Sequence, residues 1–128
     1  MKRLSMLALV AVALGELLLY DALLAMGGFA RVRRSLSRPA RRTASPDADY
    51  RRVVEAMDLA CALYWKPVLC LQNAVVTARL LRRRGCGAEV VIGCRPEPFF
   101  SHAWVELDGR VVNDSPIYRQ QLAAVARL

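Results

Sequence analysis

Apolar residues fill the chain from Leu4 to Ala30 almost without a break, interrupted by Glu16 and Asp21. Such a run predicts a helix with three competing placements. A secretory signal would begin at Lys2 and Arg3 and continue through Leu4–Leu14, although the small triplet Ala11-Val12-Ala13 lies inside the run and not after it. A transmembrane helix would carry both acids into the bilayer, each costing about 2.5–3.5 kcal/mol near its centre. A helix packed on protein or lying on a membrane surface suits the short uncharged stretches better. Further on, Val53, Val54, Met57, Ala60, Cys61 and Tyr64 recur at helical spacing. They predict a helix from Asp47 or Asp49 to Tyr64 with a core-facing stripe. Trp65-Lys66-Pro67 ends it. A second helix is predicted from Val68 or Cys70 to Arg84. It is apolar around most of its circumference and therefore central, and Arg82–Arg84 and Gly85 supply its stop.

Beyond Gly85 the period falls from helical spacing to alternation. Ala88–Cys94 predicts a buried strand, and Pro96-Glu97-Pro98 a loop. Phe100–Leu107 alternates, with His102, Trp104 and Glu106 on one face and Ala103, Val105 and Leu107 on the other. Asp108-Gly109 signals a hairpin, Arg110–Asn113 the return strand, and Ile117–Leu128 a short C-terminal helix. The pattern is that of an α+β chain: a central helix packed on a small antiparallel sheet, preceded by an N-terminal apolar helix.

Charge refines the organisation. Of the net +8, residues 1–52 carry +6 and residues 53–128 only +2. The basic excess sits on the arm, where Arg31, Arg33, Arg34, Arg38, Arg41 and Arg42 precede Pro46. Nucleic-acid binding, which needs a basic face on the folded unit, is not indicated. Three segments follow: an apolar helix over 1–30, an arginine-rich connector over 31–46, and a folded domain over 47–128. The connector is either a solvated link or a contact for anionic lipid or an acidic partner. The four cysteines, at 61, 70, 86 and 94, form no Cys-x-x-Cys pair, and the one histidine is His102. That set does not suggest a metal site. A chain that is 55% hydrophobic does not need disulfide staples, and free thiols point to a reducing compartment. Cys61 reads as a small buried hydrophobe.

Three residues could carry chemistry. Cys70 is predicted in the first turn of a buried helix, where unpaired amides and positive potential favour a thiolate and can serve a developing oxyanion. The plain alternative is an inert core cysteine. His102 is a strand residue that could take up the thiol proton and return it to a leaving amine, if its strand packs on that helix start. With the turn at 108–109, residue 103 pairs near 114, so Asp114 falls almost opposite His102. A carboxylate there would fix the ring's tautomer, whereas its plain role is to begin a turn with Ser115-Pro116. Helix-borne Cys, strand-borne His and neighbouring-strand Asp, in that chain order, are the arrangement of papain-like and transglutaminase-like folds. Trp104 either shields that pair or simply fills core. Gln72 is a candidate second oxyanion donor, and Glu106 a surface ion-pair former.

The strings Cys70-Leu71-Gln72-Asn73-Ala74, Leu80-Leu81-Arg82-Arg83-Arg84-Gly85, Val91-Ile92-Gly93, His102-Ala103-Trp104-Val105-Glu106 and Asp108-Gly109-Arg110-Val111-Val112-Asn113-Asp114 run in order. They resemble the transglutaminase-like leader peptidases of lasso-peptide biosynthesis, over roughly residues 65–118. The resemblance implies a cysteine peptidase that cuts the leader from a ribosomally made precursor, with Cys70, His102 and Asp114 as nucleophile, base and orienting acid and no cofactor. It also implies the split form. That form relies on a separate leader-recognition protein and hands its product to a lasso cyclase of asparagine-synthetase type. A cytoplasmic location follows, with membrane association through residues 4–30 left open. Gln72-Asn73-Ala74 departs from the Pro-Arg-Ser of many relatives, and Cys86 and Cys94 stand where aliphatic residues are usual, reading as core substitutes. Acyl transfer by the same triad, or a non-catalytic membrane-associated assembly subunit, are the alternatives.

Overall fold

The computed structural model describes residues 5–36 and 46–128, with residues 46–49 described by backbone alone. The first helix, α1, spans Met6–Ser35. Ser5 caps it, its hydroxyl accepting from the Ala8 amide at 3.1 Å. The helix runs past the expected end at residue 30. It kinks at Gly28, whose φ of 66° glycine adopts without penalty, and then resumes. Val32 and Leu36 are buried and hold this last portion to the core, so Arg31, Arg33 and Arg34 ride on helix and not on a connector. The rest of the expected connector, 37–45, lies outside the described residues.

Helix α2 spans Pro46–Leu63, with proline in the first turn, where its missing N–H costs nothing. Helix α3 spans Cys70–Arg83. Strands β1 (Ala88–Pro96), β2 (Phe99–Leu107) and β3 (Arg110–Val111) follow, then the short helix α4 (Ile117–Gln121) and strand β4 (Ala123–Arg127). The sheet order is β3-β2-β1-β4, and β1 pairs antiparallel with both β2 and β4.

Two expectations need correction. The C-terminal helix expected over 117–128 lasts one turn and gives way to β4. Leu122 is buried against Val91 and Trp104, and the chain then lies along the otherwise free edge of β1. There it satisfies backbone groups that helix would leave open: the Val90 and Leu128 amides and carbonyls exchange bonds of 3.2 and 2.8 Å. The return strand expected to reach Asn113 pairs as strand only at Arg110 and Val111, with one further bond from the Val112 amide to the Val105 carbonyl.

One core joins α1, α2 and α3 to the sheet face that carries Ala88, Val90, Ala103, Val105 and Leu107. A smaller cluster of Val91, Trp104 and Leu122 covers the other face. Arg82 locks the layers. Its Nε donates to the Ala88 carbonyl and its Nη2 to the Leu128 carbonyl, both at 2.8 Å, and its Nη1 to the Leu36 carbonyl.

Gly93 lies beneath the Trp104 ring. A Cβ there would stand 2.5 Å from Cη2 of Trp104 and 2.9 Å from Cβ of Leu122. Gly93→Ala is therefore expected to destabilise the fold by about 2 kcal/mol, as overpacking does. Urea unfolding followed by tryptophan fluorescence measures this, and an unchanged midpoint would contradict the placement of Trp104.

Candidate active site

Alternation along β2 sends Ala103, Val105 and Leu107 toward α3 and leaves His102, Trp104 and Glu106 on the opposite face. At its turn, Asp108 and Gly109 take φ values of 51° and 79°, the positive region that a tight two-residue hairpin needs. The chain leaves the sheet early because the Asn113 side chain takes over a ladder bond, its Oδ1 accepting from the Val105 amide at 2.8 Å. That frees the next residue to turn across the strand. Asp114 Oδ2 lies 2.6 Å from His102 Nε2, and its Oδ1 accepts from the Ser115 amide at 2.8 Å. One carboxylate thus both starts a turn and holds the imidazole, leaving Nδ1 for other chemistry.

The ring is held from its faces as well. Tyr118 on α4 packs at a tilt, 4.1 Å between centroids, and Phe100 and Trp104 stack at 6.1 and 6.3 Å. Nothing in the sequence pattern marked Tyr118, because its approach depends on the fold-back of the C-terminal segment. Trp104 is 1% exposed and donates from Nε1 to Glu106 Oε2 at 2.9 Å. Glu106, expected at the surface, is also buried. The same fold-back covers it and brings Arg119 and Arg127 to 3.5 and 3.1 Å.

Cys70 is the first residue of α3 and is solvent-exposed. Leu69 caps the helix without any side-chain hydrogen bond, and the first helical bond runs from the Asn73 amide to the Leu69 carbonyl. The amides of Cys70, Leu71 and Gln72 are therefore left without intrahelical partners beside the thiol. Gln72 does not act as a donor there. It is buried, and its Nε2 donates to the Leu17 carbonyl at 3.2 Å and Asp21 Oδ1 at 3.3 Å.

Asp21 on α1 organises this end of α3. It accepts from the Tyr64 hydroxyl, from Lys66 Nζ at 2.9 Å and from Gln72, residues that bracket Cys70 in sequence. Burial pushes the Asp21 carboxyl up, but those donors and the Lys66 charge together hold it below the ordinary carboxylate value. Tyr20, next to it, is pushed up by burial, then by Asp21 and the Cys70 sulfur. Cys86 is buried in the turn after α3, while Cys61 and Cys94 are only half-buried. Burial, followed by Asp58, pushes the Cys61 thiol up. None of the four is disulfide-bonded.

Cys70 and His102 occupy the same end of the helix–sheet layer. Arg82, near the end of α3, is tied to Ala88 at the start of β1, so β1 runs back alongside α3. Cys70 lies about 18 Å from Arg82 along the helix. Gly93, paired with His102, lies about 17 Å from Ala88 along the strand. His102 and Asp114 are joined by a hydrogen bond; among the described residues none joins the Cys70 thiol to the ring. No group of His, Cys, Asp and Glu among the described residues could hold a metal ion.

Residues 16–127 match the model of the Transglutaminase-like superfamily. The chain belongs to this superfamily. The superfamily match begins inside α1 and takes in Cys70, His102 and Asp114. Over 59 residues the chain is 42% identical to the Microcin J25-processing protein McjB of Escherichia coli. The aligned stretch is 46% of this chain and 28% of that protein, so the chain spans well under half the length of this curated relative. No solved structure matches the chain.

Asp21→Asn is expected to cost about 1 kcal/mol at neutral pH, the scale of a partly buried charge-assisted contact. The Asp21 carboxyl is depressed in the fold, so its contribution is present above the unfolded-state value and is lost as pH falls through the folded one. Urea titrations across that acid range should show wild type and variant converging, and a gap that stays constant would remove Asp21 from this role.

Proposed function

We propose that the chain is a cysteine peptidase that removes the leader from a ribosomally synthesised lasso-peptide precursor, using Cys70 as nucleophile, His102 as base and Asp114 as orienting acid. The observation that carries this reading is the 2.6 Å bond between His102 and Asp114 in a transglutaminase-like chain, with an exposed cysteine opening an uncapped helix at the same end of the layer. Similarity to a protein named for processing microcin J25 supports the substrate class.

In this mechanism the Cys70 thiol gives its proton to His102, and the sulfur attacks the carbonyl carbon at the leader–core junction. The amides of Cys70 and the next residues face the oxyanion. As the C–N bond breaks, His102 returns the proton to the leaving amine, which becomes the N-terminus of the core peptide. Water, deprotonated by His102, then hydrolyses the thioester, releasing the leader carboxylate and restoring the thiol. Asp114 holds the ring and stabilises its charged form throughout. His102 lies on the sheet face turned away from α3, so this mechanism requires the start of α3 and the end of β2 to shift until sulfur and ring come together on the bound substrate. The reading includes a separate leader-recognition protein, which supplies substrate by raising its effective concentration, and a cyclase that consumes the freed amine in the cytoplasm.

The superfamily also supports a second reading, acyl transfer from the same thioester to an amine. Mass spectrometry with added amine separates the two: a free leader carboxylate marks hydrolysis and an amide marks transfer.

With the precursor and its recognition partner present, Cys70→Ala is expected to lower cleavage by on the order of 10³-fold or more, and Asp114→Asn by on the order of 10²-fold. Cys70 is exposed, so its variant should melt as wild type does. A Cys70→Ala chain that cuts at the wild-type rate would end the proposal.

A further inference from the structure

The solvent side of α1 is apolar where a surface helix is ordinarily polar. Leu7, Ala11, Leu18, Ala22 and Met26 recur at helical spacing and are all exposed, Leu7 at 83%, Leu18 at 55% and Met26 at 69%. From Leu7 to Met26 that ridge is about 28 Å long. The two acids of the helix do not lie on it. Glu16 is buried, ion-paired to Arg79 and Arg83 at 2.7 and 2.6 Å, and Asp21 is held by Lys66, Tyr64 and Gln72. The ridge thus has its back to the protein and no charged or hydrogen-bonding side chain along its front. Immediately after it, beyond the Gly28 kink, Arg31, Arg33 and Arg34 are exposed.

We propose that this face of α1 docks on an anionic bilayer surface, its leucine and methionine side chains entering the acyl boundary and Arg31, Arg33 and Arg34 meeting lipid phosphates. The inference is independent of the peptidase reading. An exposed apolar ridge followed by a cationic cluster suits an interfacial helix, and charge complementarity selects acidic headgroups as its partner. α1 is long and apolar enough to cross a bilayer, but here it packs on α2 and α3, and the exposed side of α2 carries Arg51 and Glu55, which favours a seat on the surface.

The test is flotation of the full chain with vesicles of phosphatidylcholine alone and of phosphatidylcholine with phosphatidylglycerol. The chain should float with the anionic vesicles, less so in high salt, and be released by alkaline carbonate. Leu18→Glu with Met26→Glu should weaken binding roughly tenfold or more while the melting curve is kept. Arg33→Glu with Arg34→Glu should abolish the preference for phosphatidylglycerol. Met26→Gln alone provides the same reading should the double glutamate chain fail to fold. Four results would overturn the proposal: wild type that stays with the lipid-free fraction, retention after carbonate, apolar-face variants that bind as wild type, or a lipid-indifferent dimer that those variants make monomeric.

Discussion

Three carbonyls from distant parts of the chain converge on one guanidinium, and the rest of the architecture follows from that meeting. Arg82 reaches Leu36 after α1, Ala88 at the start of β1 and Leu128 beyond β4. Burial pulls its pKa below the ordinary arginine value, yet a guanidinium with its donors spent on carbonyls keeps its charge at a tolerable cost. The contact fixes where α3 ends relative to the sheet, and so which end of the sheet faces the start of α3. Asp21 does the corresponding work at the other end, binding the residues on either side of Cys70 back to α1. The central helix is clamped at its start by a carboxylate of α1 and at its end by its own guanidinium on neighbouring carbonyls, and α1 or the residue that ends it takes part in each clamp.

That role explains the composition of α1. A helix that only crossed lipid would have no use for Glu16 or Asp21. Here both face α2 and α3 and meet cations. The acids that argue against a span in the sequence are the residues that tie the helix to the folded unit.

Much of the fold was legible because its signals are local. Helical spacing gave α2, Arg82–Arg84 with Gly85 gave the end of α3, and Asp108-Gly109 gave the hairpin. The opposition of His102 and Asp114 followed from counting residues across that turn, and their side chains are hydrogen-bonded. What was not legible depends on the chain returning on itself. Short alanine-rich stretches such as Ala123-Ala124-Val125-Ala126 fit helix as well as strand, and only the open edge of β1 decides between them. The burial of Glu106, the packing of Tyr118 on His102 and the diversion of Gln72 to α1 are contacts between residues 13 to 55 positions apart, beyond any periodic pattern. Arg31–Arg34 read as a connector because the apolar run ends before them, whereas the chain only bends at Gly28 and resumes helix through them.

Glu106 shows what the fold-back does for the site. This carboxylate sits two residues from Trp104 and four from His102 on one strand face, and both arginines that neutralise it come from the last ten residues of the chain. The C-terminal segment, α4 with β4, therefore works as a counter-ion strap, and whatever peels it away leaves the buried anion with the Trp104 indole as its remaining donor. The order of the imidazole wall is in this way tied to the seating of the segment that also supplies Tyr118.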